Sequence, residues 1–297
     1  MTVMVVSVSG GKDSTAACLH LRELGIDHDR VFFDTGWEHA ETYRHLDYLE
    51  TVLGPIRRVR AEVDLPAELE EIAQGFEARL GHYSAMVRVV LRKGMFPSRV
   101  RRVCTQELKV FVARDFYASL DGEATNVVGI RAAESQARAQ LPEREHDAVL
   151  DVDVWLPLIA WSEQDVIDIH QRHGIAPNPL YLRGASRVGC WPCIFARKSE
   201  IRLIAHEDPD RIALIADLER EVARRARERN SKQYKGNDPT WFQASLRDEN
   251  GERPCLPIDR IVEWARTADG GRQPELFAAP HGERGCMRWG LCETDEP

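Results

Sequence analysis

The opening residues constrain the fold more than any other stretch of the chain. Val3 to Val8 is an apolar, largely β-branched run, the pattern of a strand buried on both faces of a parallel sheet. It stops at Ser9-Gly10-Gly11, and from Ser14 the period changes: Ala17, Leu21 and Leu24 mark one helical face, closed by Gly25. Val31, Phe32 and Phe33 form a second short apolar run that ends at Asp34-Thr35-Gly36. Residues 3–36 therefore read as one βαβ unit, and another buried strand is expected from Asn126 to Ile130. This alternation predicts an α/β domain, a parallel sheet with helices on both faces and ligands beyond the carboxyl ends of the strands.

Further along, Ser162 precedes the helical pattern Val166, Ile167, His170, which Gly174 closes. Asp208-Pro209 opens a long helix, Asp as N-cap and Pro at the first helical position, with Leu214, Leu218 and Val222 on one core-facing stripe. Beyond Asn230 the pattern turns irregular, with a short helical segment near Ile258 to Arg266. Composition agrees with a globular chain: 297 residues, 43% hydrophobic and 30% charged, which excludes collagen, coiled coil and disorder. No stretch approaches the roughly 20 apolar residues of a membrane span. Met1 to Ser9 carries no signal-peptide pattern, so a cytoplasmic chain with no membrane partner is expected. A net charge of -8 argues against a wholly basic nucleic-acid binder while allowing a local basic patch.

Chemistry concentrates first at Ser9-Gly10-Gly11-Lys12-Asp13-Ser14, between strand and helix. Two glycines let backbone N–H groups turn toward an anion, and the helix start adds its positive dipole end. Lys12 and the hydroxyls of Ser9 and Ser14 can grip phosphate oxygens. It is a phosphate cradle but not the usual P-loop, which requires glycine where this chain has Val6.

The hexapeptide resembles the SGGKDS signature of the PP-loop ATP pyrophosphatases. Phe33-Asp34-Thr35-Gly36, Val128-Gly129-Ile130-Arg131 with Glu134-Ser135 and Arg138, Leu156-Pro157-Leu158 with Trp161-Ser162-Glu163 and Asp165-Val166, Asn178-Pro179-Leu180-Tyr181, and Val188-Gly189-Cys190 before Cys193 resemble the phosphoadenosine phosphosulfate (PAPS) reductase branch. The resemblance covers about residues 3–200 and implies the adenine nucleotide alpha-hydrolase-like fold. A PP-loop nucleotide-binding domain is expected over residues 1–200, with a helical and irregular C-terminal region over 201–297 that completes a cysteine site. The resemblance further implies that Ser7, Ser9, Gly10, Gly11, Lys12, Asp13 and Ser14 hold the nucleotide phosphates. Asp34, Thr35 and Gly36 would border the adenosine, and Gly129, Arg131 and Arg138 would line it from the neighbouring strand. Lys12, Asp13 and Arg131 become the expected catalytic residues. An arginine fork suits phosphate or sulfate, and Asp13 and Asp34 are candidates for Mg²⁺, a hard cation that takes carboxylate oxygen.

Seven cysteines are too few for a disulfide scaffold, so their spacing matters. Cys190-Trp191-Pro192-Cys193 is a C-x-x-C preceded by Gly189, a spacing that lets two thiolates face one metal or cluster. Cluster-bearing members of the resembled branch hold a [4Fe-4S] cluster with an upstream Cys-Cys pair and a downstream C-x-x-C. Here the upstream site is Val103-Cys104, so Cys104, Cys190 and Cys193 carry over and the fourth ligand is sought in the tail, Cys286 ahead of Cys292. Zinc and a redox dithiol are the alternatives. Cys18 and Cys255 read as core or incidental residues.

Between Tyr83 and Gln106 there is no acidic residue, but there are Arg88, Arg92, Lys93, Arg99, Arg101 and Arg102, with Lys109 just beyond. This strip is expected to draw a polyanion, a nucleotide sulfate or a nucleic-acid backbone, toward the nucleotide pocket. The first functional expectation is an ATP-cleaving, adenylating sulfur-transfer enzyme acting on nucleic acid, by DNA phosphorothioation or base thiolation, with a sulfur donor such as a cysteine desulfurase. The resembled reductases usually end in Glu-Cys-Gly-Leu/Ile-His, whereas this chain has Trp289-Gly290-Leu291-Cys292-Glu293. The alternatives are a PAPS or adenosine phosphosulfate (APS) reductase producing sulfite, and a non-catalytic nucleotide-sensing or DNA-binding Fe-S subunit.

Overall fold

The computed structural model describes residues 2–229, 238–242, 255–267 and 289. The expected βαβ unit forms as β1 (Val3–Ser7), α1 (Lys12–Glu23) and β2 (Asp29–Asp34). Val5 and Val6 point to opposite faces of β1, and both are fully buried, which explains an unbroken apolar run where a half-exposed strand would alternate. Leu24 departs from the expected face: it lies past the end of α1 and is 52% exposed.

The chain continues through α2 (Ala40–Leu53), β3 (Arg57–Arg60), α3 (Ala67–Leu80) and α4 (Ala85–Lys93). After α5 (Val103–Thr105), a π-helical turn at Gln106–Val110 leads into α6 (Phe111–Ala118), then β4 (Ala124–Val127), β5 (Arg144–Asp147) and β6 (Val152–Trp155). The six strands lie in the order β3-β2-β1-β4-β6-β5, all parallel except β5, which runs antiparallel to β6. β4 ends at Val127, short of the expected Ile130, so Val128-Gly129-Ile130 leaves the sheet beside the start of α1. The edge strand β3 reads Arg-Arg-Val-Arg, and charge at an edge discourages pairing with another chain.

Helices cover both faces. Val6, Phe32 and Val127 pack with α1, α2 and α7 (Glu163–Arg172), while Val5 and Val31 pack with Phe116 and Tyr117 of α6. After the short α8 (Pro179–Leu182) come α9 (Lys198–Glu207), α10 (Pro209–Glu228) and α11 (Ile258–Ala265). Asp208 caps α10 by accepting from the Arg211 N–H. The stripe Leu214, Leu218, Val222 is buried against α4 and α11, around Trp37 stacked on Trp241 at 4.7 Å. Burial of each such side chain stabilises by roughly 1.5–3 kcal/mol. Among the described residues no helix is long and apolar enough to cross a membrane.

Candidate nucleotide and thiol site

The cradle sits where β1 gives way to α1. Gly10 has φ +71°, and a Cβ there would lie 2.8 Å from Cγ2 of Thr42, so both the turn and the close approach of α2 require glycine. Inside the loop, the Ser9 N–H donates to Ser14 Oγ at 3.0 Å and the Ser14 hydroxyl donates to the Gly11 carbonyl at 3.0 Å. The hydroxyls of Ser9 and Ser14 stand 3.2 Å apart. Ser7, one turn of strand earlier, donates to Asn126 Oδ1 of β4 at 2.9 Å. These serines and backbone amides face a common space at the N-terminus of α1, the geometry that binds phosphate.

Asp13 joins the cradle to β4. Its Oδ1 accepts from Arg131 Nε at 2.5 Å and its Oδ2 from Lys12 Nζ at 3.0 Å, so one carboxylate fixes the two cations singled out as catalytic. The Lys12 ammonium also lies 3.7 Å from Glu163 and 5.5 Å from the centre of the Tyr181 ring. Gly129 sits where β4 and α1 nearly touch: a Cβ would fall 2.4 Å from the Asp13 carbonyl oxygen. Arg131 is 5% exposed. Glu134 accepts from its backbone N–H at 3.0 Å and also binds the Arg138 guanidinium, which is how Arg138 reaches the same cavity.

The motif Asn178-Pro179-Leu180-Tyr181 buttresses the loop from behind. Asn178 Nδ2 donates to the Gly10 carbonyl at 3.1 Å, and the Lys12 N–H donates to the Tyr181 hydroxyl at 3.2 Å. Tyr181 in turn packs against Trp289, whose carbonyl accepts from Gln171 Nε2 at 3.2 Å. Trp289 thereby sits beside the cradle, while Cys286 and Cys292 lie outside the described residues.

The end of β2 has a different role from the cradle. Asp34 accepts from the Gly36 N–H and the Tyr43 hydroxyl, both at 2.8 Å, and faces a second cavity of about 820 Å³ between α2, β3 and the end of α3. Thr35 is fully buried and donates to Glu38 Oε1 at 2.8 Å. Gly36 packs on Ser84 at the start of α4, where a Cβ would meet the Ser84 Cα at 2.5 Å. Of the two carboxylates considered for Mg²⁺, Asp13 lines the cradle cavity and Asp34 does not.

The C-x-x-C loop is strapped to this segment. Trp191 N–H donates to the Trp37 carbonyl at 2.8 Å, Trp37 Nε1 donates to the Pro192 carbonyl at 3.1 Å, and Glu38 and Cys190 form an isolated β-bridge. The Cys190 thiol lies 3.9 Å from both Glu38 Oε1 and Thr35 Oγ1. Burial pushes the Cys190 thiol up to about 12, while the Lys109 ammonium pulls the other way. Lys109 is raised above the usual lysine range chiefly by its coupling to the Cys190 thiol, with Glu38, Cys193 and Cys104 adding to it. Burial likewise raises Cys104 and Glu38. Cys190 and Cys193 line one cavity with Lys109, and Cys104 lies outside that lining but near enough to feel the same ammonium. Among the described residues, no three Cys, His, Asp or Glu side chains already stand as a convergent metal-binding set.

One cavity of about 520 Å³ joins the cradle to the C-x-x-C loop; Lys12, Arg131 and Cys104 are not among its lining residues, and the two buried cations reach it only through Asp13. Ser7, Ser9, Gly11, Asp13 and Ser14 line one end; Glu38, Lys109, Cys190 and Cys193 line the other; Gly129, Glu134 and Arg138 flank it. Its volume suits a nucleotide-sized ligand. Glu38, Tyr43 and the buttressing roles of Asn178 and Tyr181 were not legible as site features. Lys109 read only as one more cation, because it lies on the π-helical turn Gln106–Val110 and meets Cys190 and Cys193 only in the folded chain.

The basic strip divides. Arg88 is buried and bound by Glu77 at 2.7 Å and Glu70 at 2.7 Å, and Arg92 and Lys93 both pair with Glu107. These three cations are structural, contrary to the expectation of one continuous attracting surface.

A family model described as the phosphoadenosine phosphosulfate reductase domain matches residues 3–196. The chain is 37% identical, over 98% of its length and 97% of the relative's, to an uncharacterized 37.8 kDa protein in the gpa 5′ region of Escherichia phage 186. It is 33% identical to adenosine 5′-phosphosulfate reductase of Allochromatium vinosum, a match over 43% of this chain that spans about half, 54%, of that enzyme. Among solved structures, phosphoadenylyl-sulfate reductase from Candida auris aligns with TM-score 0.47 and 18% identity, covering 64% of this chain and 82% of that one. With the match spanning the sheet, the cradle and the C-x-x-C loop, the chain belongs to the phosphoadenosine phosphosulfate reductase domain family.

Proposed function

We propose that this chain cleaves ATP to adenylate an oxygen of a nucleic acid and then directs sulfur into its place. The observation that carries the reading is the single cavity with a phosphate cradle at one end and thiols beside a lysine at the other. The acceptor oxygen attacks the α-phosphorus, the bond to the β-phosphate oxygen breaks, and pyrophosphate leaves. The terminal sulfur of a protein persulfide then attacks the activated atom, AMP departs with the acceptor oxygen, and a second thiol cleaves the S–S bond of the adduct, leaving the thiolated acceptor and a disulfide that an external dithiol reduces. The persulfide sulfur comes from a donor such as a cysteine desulfurase.

Backbone amides and serine hydroxyls of the cradle hold the phosphates, and Arg131, buried behind the cavity wall, orients the Asp13 carboxylate that lines it. Lys12 holds the other oxygen of Asp13 from the helix start, and Mg²⁺ on Asp13 would neutralise the leaving pyrophosphate. Cys104, Cys190 and Cys193, with Cys286 as fourth ligand, would hold a [4Fe-4S] cluster. The donor chemistry suits it, soft thiols from separated segments with a cation beside them, and the cluster would place an iron–sulfur centre at the thiol end of the cavity. The reductase reading, reduction of PAPS or APS to sulfite, draws on the same cavity and on the likeness to the Allochromatium enzyme. It is ranked second because Lys12 and Asp13 are both present in the cradle and the tail order Trp289-Gly290-Leu291-Cys292-Glu293 differs from the reductase ending.

The test is pyrophosphate release from ATP by the full chain across single-stranded DNA, duplex DNA and tRNA, with a persulfide donor. Acceptor-stimulated pyrophosphate with sulfur incorporation supports the reading. No pyrophosphate release with any of these acceptors overturns it.

A further inference from the structure

With Arg88, Arg92 and Lys93 neutralised by carboxylates, the charge that remains in the strip is concentrated in one loop. Arg99, Arg101 and Arg102 are exposed and have no acidic partner among the described residues. Val100 between them is 90% exposed. Facing them is Phe195, an exposed aromatic at 37%, with the guanidinium of Arg99 5.9 Å and that of Arg102 5.6 Å from its ring centre. The patch is tied to the thiols along the chain: Phe195 lies two residues after Cys193, which lines the cavity, and Arg102 two residues before Cys104.

An exposed ring rimmed by unpaired arginines in a chain of net charge -8 has two complementary capacities. The ring offers a face on which a base can stack, and the guanidiniums offer bidentate donors to phosphate. A duplex keeps its base faces stacked inside, whereas a single strand presents them. We infer that Arg99, Arg101, Arg102 and Phe195 form a docking platform for single-stranded nucleic acid at the mouth of the thiol end. The platform rests on the proposed nucleic-acid acceptor and specifies its form: a strand seated here presents its reacting atom to the end of the cavity that holds Cys190 and Cys193.

The experiment is a fluorescence-anisotropy titration of the full chain with a labelled oligothymidylate, without ATP, across a range of salt. Replacing all three arginines by alanine is expected to flatten the slope of log affinity against log salt by about 2, from about 0.7 per phosphate contact on a single strand. Phe195→Ala is expected to weaken binding about 5- to 150-fold, the loss of one base–aromatic stack, and Phe195→Trp to retain it. Circular dichroism melting confirms that each variant is folded. An unchanged salt slope in the triple variant, full affinity in Phe195→Ala, or duplex bound as tightly as single strand would each overturn the platform. Because ATP is absent, the outcomes separate. Oligonucleotide binding without acceptor-stimulated pyrophosphate release leaves the platform and overturns the proposed activity; stimulated release with no oligonucleotide binding does the reverse.

Discussion

Replacing Gly129 by alanine tests whether the contact between β4 and the start of α1 sets the cradle. The added Cβ would lie 2.4 Å from the Asp13 carbonyl oxygen, 2.6 Å from its carbon and 2.9 Å from the Ser14 nitrogen. All three are backbone atoms of the first turn of α1, so no side chain can swing aside. Relaxing the nearest contact to about 3.5 Å parts the two elements by roughly 1 Å, and the Asp13–Arg131 bond at 2.5 Å spans the same gap. Overpacking of this kind costs about 1–3 kcal/mol, a loss of roughly 2–12 °C in melting temperature for a chain of this size. A displacement of about 1 Å at reacting groups costs on the order of 100-fold in rate. Gly75→Ala supplies the contrast, because a Cβ there meets nothing within 4 Å and alanine in mid-helix is favoured by about 1 kcal/mol. Calorimetric melting and nucleotide turnover should show Gly129→Ala less stable and strongly impaired, and Gly75→Ala more stable and unimpaired. A Gly129→Ala protein with native melting temperature and native turnover would refute the reasoning.

Other outcomes follow from buried charges and from the thiols. Glu219 of α10 is buried and accepts from the backbone N–H groups of Trp241 at 2.8 Å and Ile258 at 2.9 Å, and burial raises its carboxyl from 4.5 to about 7. The folded chain therefore holds a proton there more tightly than the unfolded chain, so this group's stabilisation is full below pH 4.5 and is lost as pH rises to about 7. Glu219→Gln should flatten stability across that window and, with one acceptor for two donors, cost about 1–3 kcal/mol at its acidic end. Arg88→Met leaves Glu77 buried without its cation and should destabilise by about 3–5 kcal/mol, measured by urea unfolding; a loss near zero would show the pair to be unimportant. Anaerobically purified protein should show the broad brown absorbance of a [4Fe-4S] cluster, lost in Cys193→Ser; a colourless protein carrying zinc would contradict the cluster.

The sequence made the cradle legible because its signals are local: two glycines, a lysine and a change of period from strand to helix within Val3–Glu23. It made the C-x-x-C loop legible through spacing, since Cys190 and Cys193 lie in one turn. Strands β3 and β6 were missed for a physical reason. Arg57–Arg60 is charged because it is an edge, and Val152–Trp155 is too short for alternation to stand out. Asp34 looked equivalent to Asp13 because both follow a buried strand, yet the pleat turns Asp34 toward Tyr43 and the second cavity. Half the basic strip was misread because Glu70, Glu77 and Glu107, its partners, come from other segments.

Side-by-side product analysis tests the central claim most directly. The full chain, purified anaerobically, is incubated with ATP, a nucleic-acid acceptor and a persulfide donor, and separately with PAPS or APS and thioredoxin, and pyrophosphate and sulfite are measured in each. The cradle-to-thiol account predicts pyrophosphate and AMP from the first mixture and no sulfite from the second. Sulfite from the second mixture with no pyrophosphate from the first would contradict it.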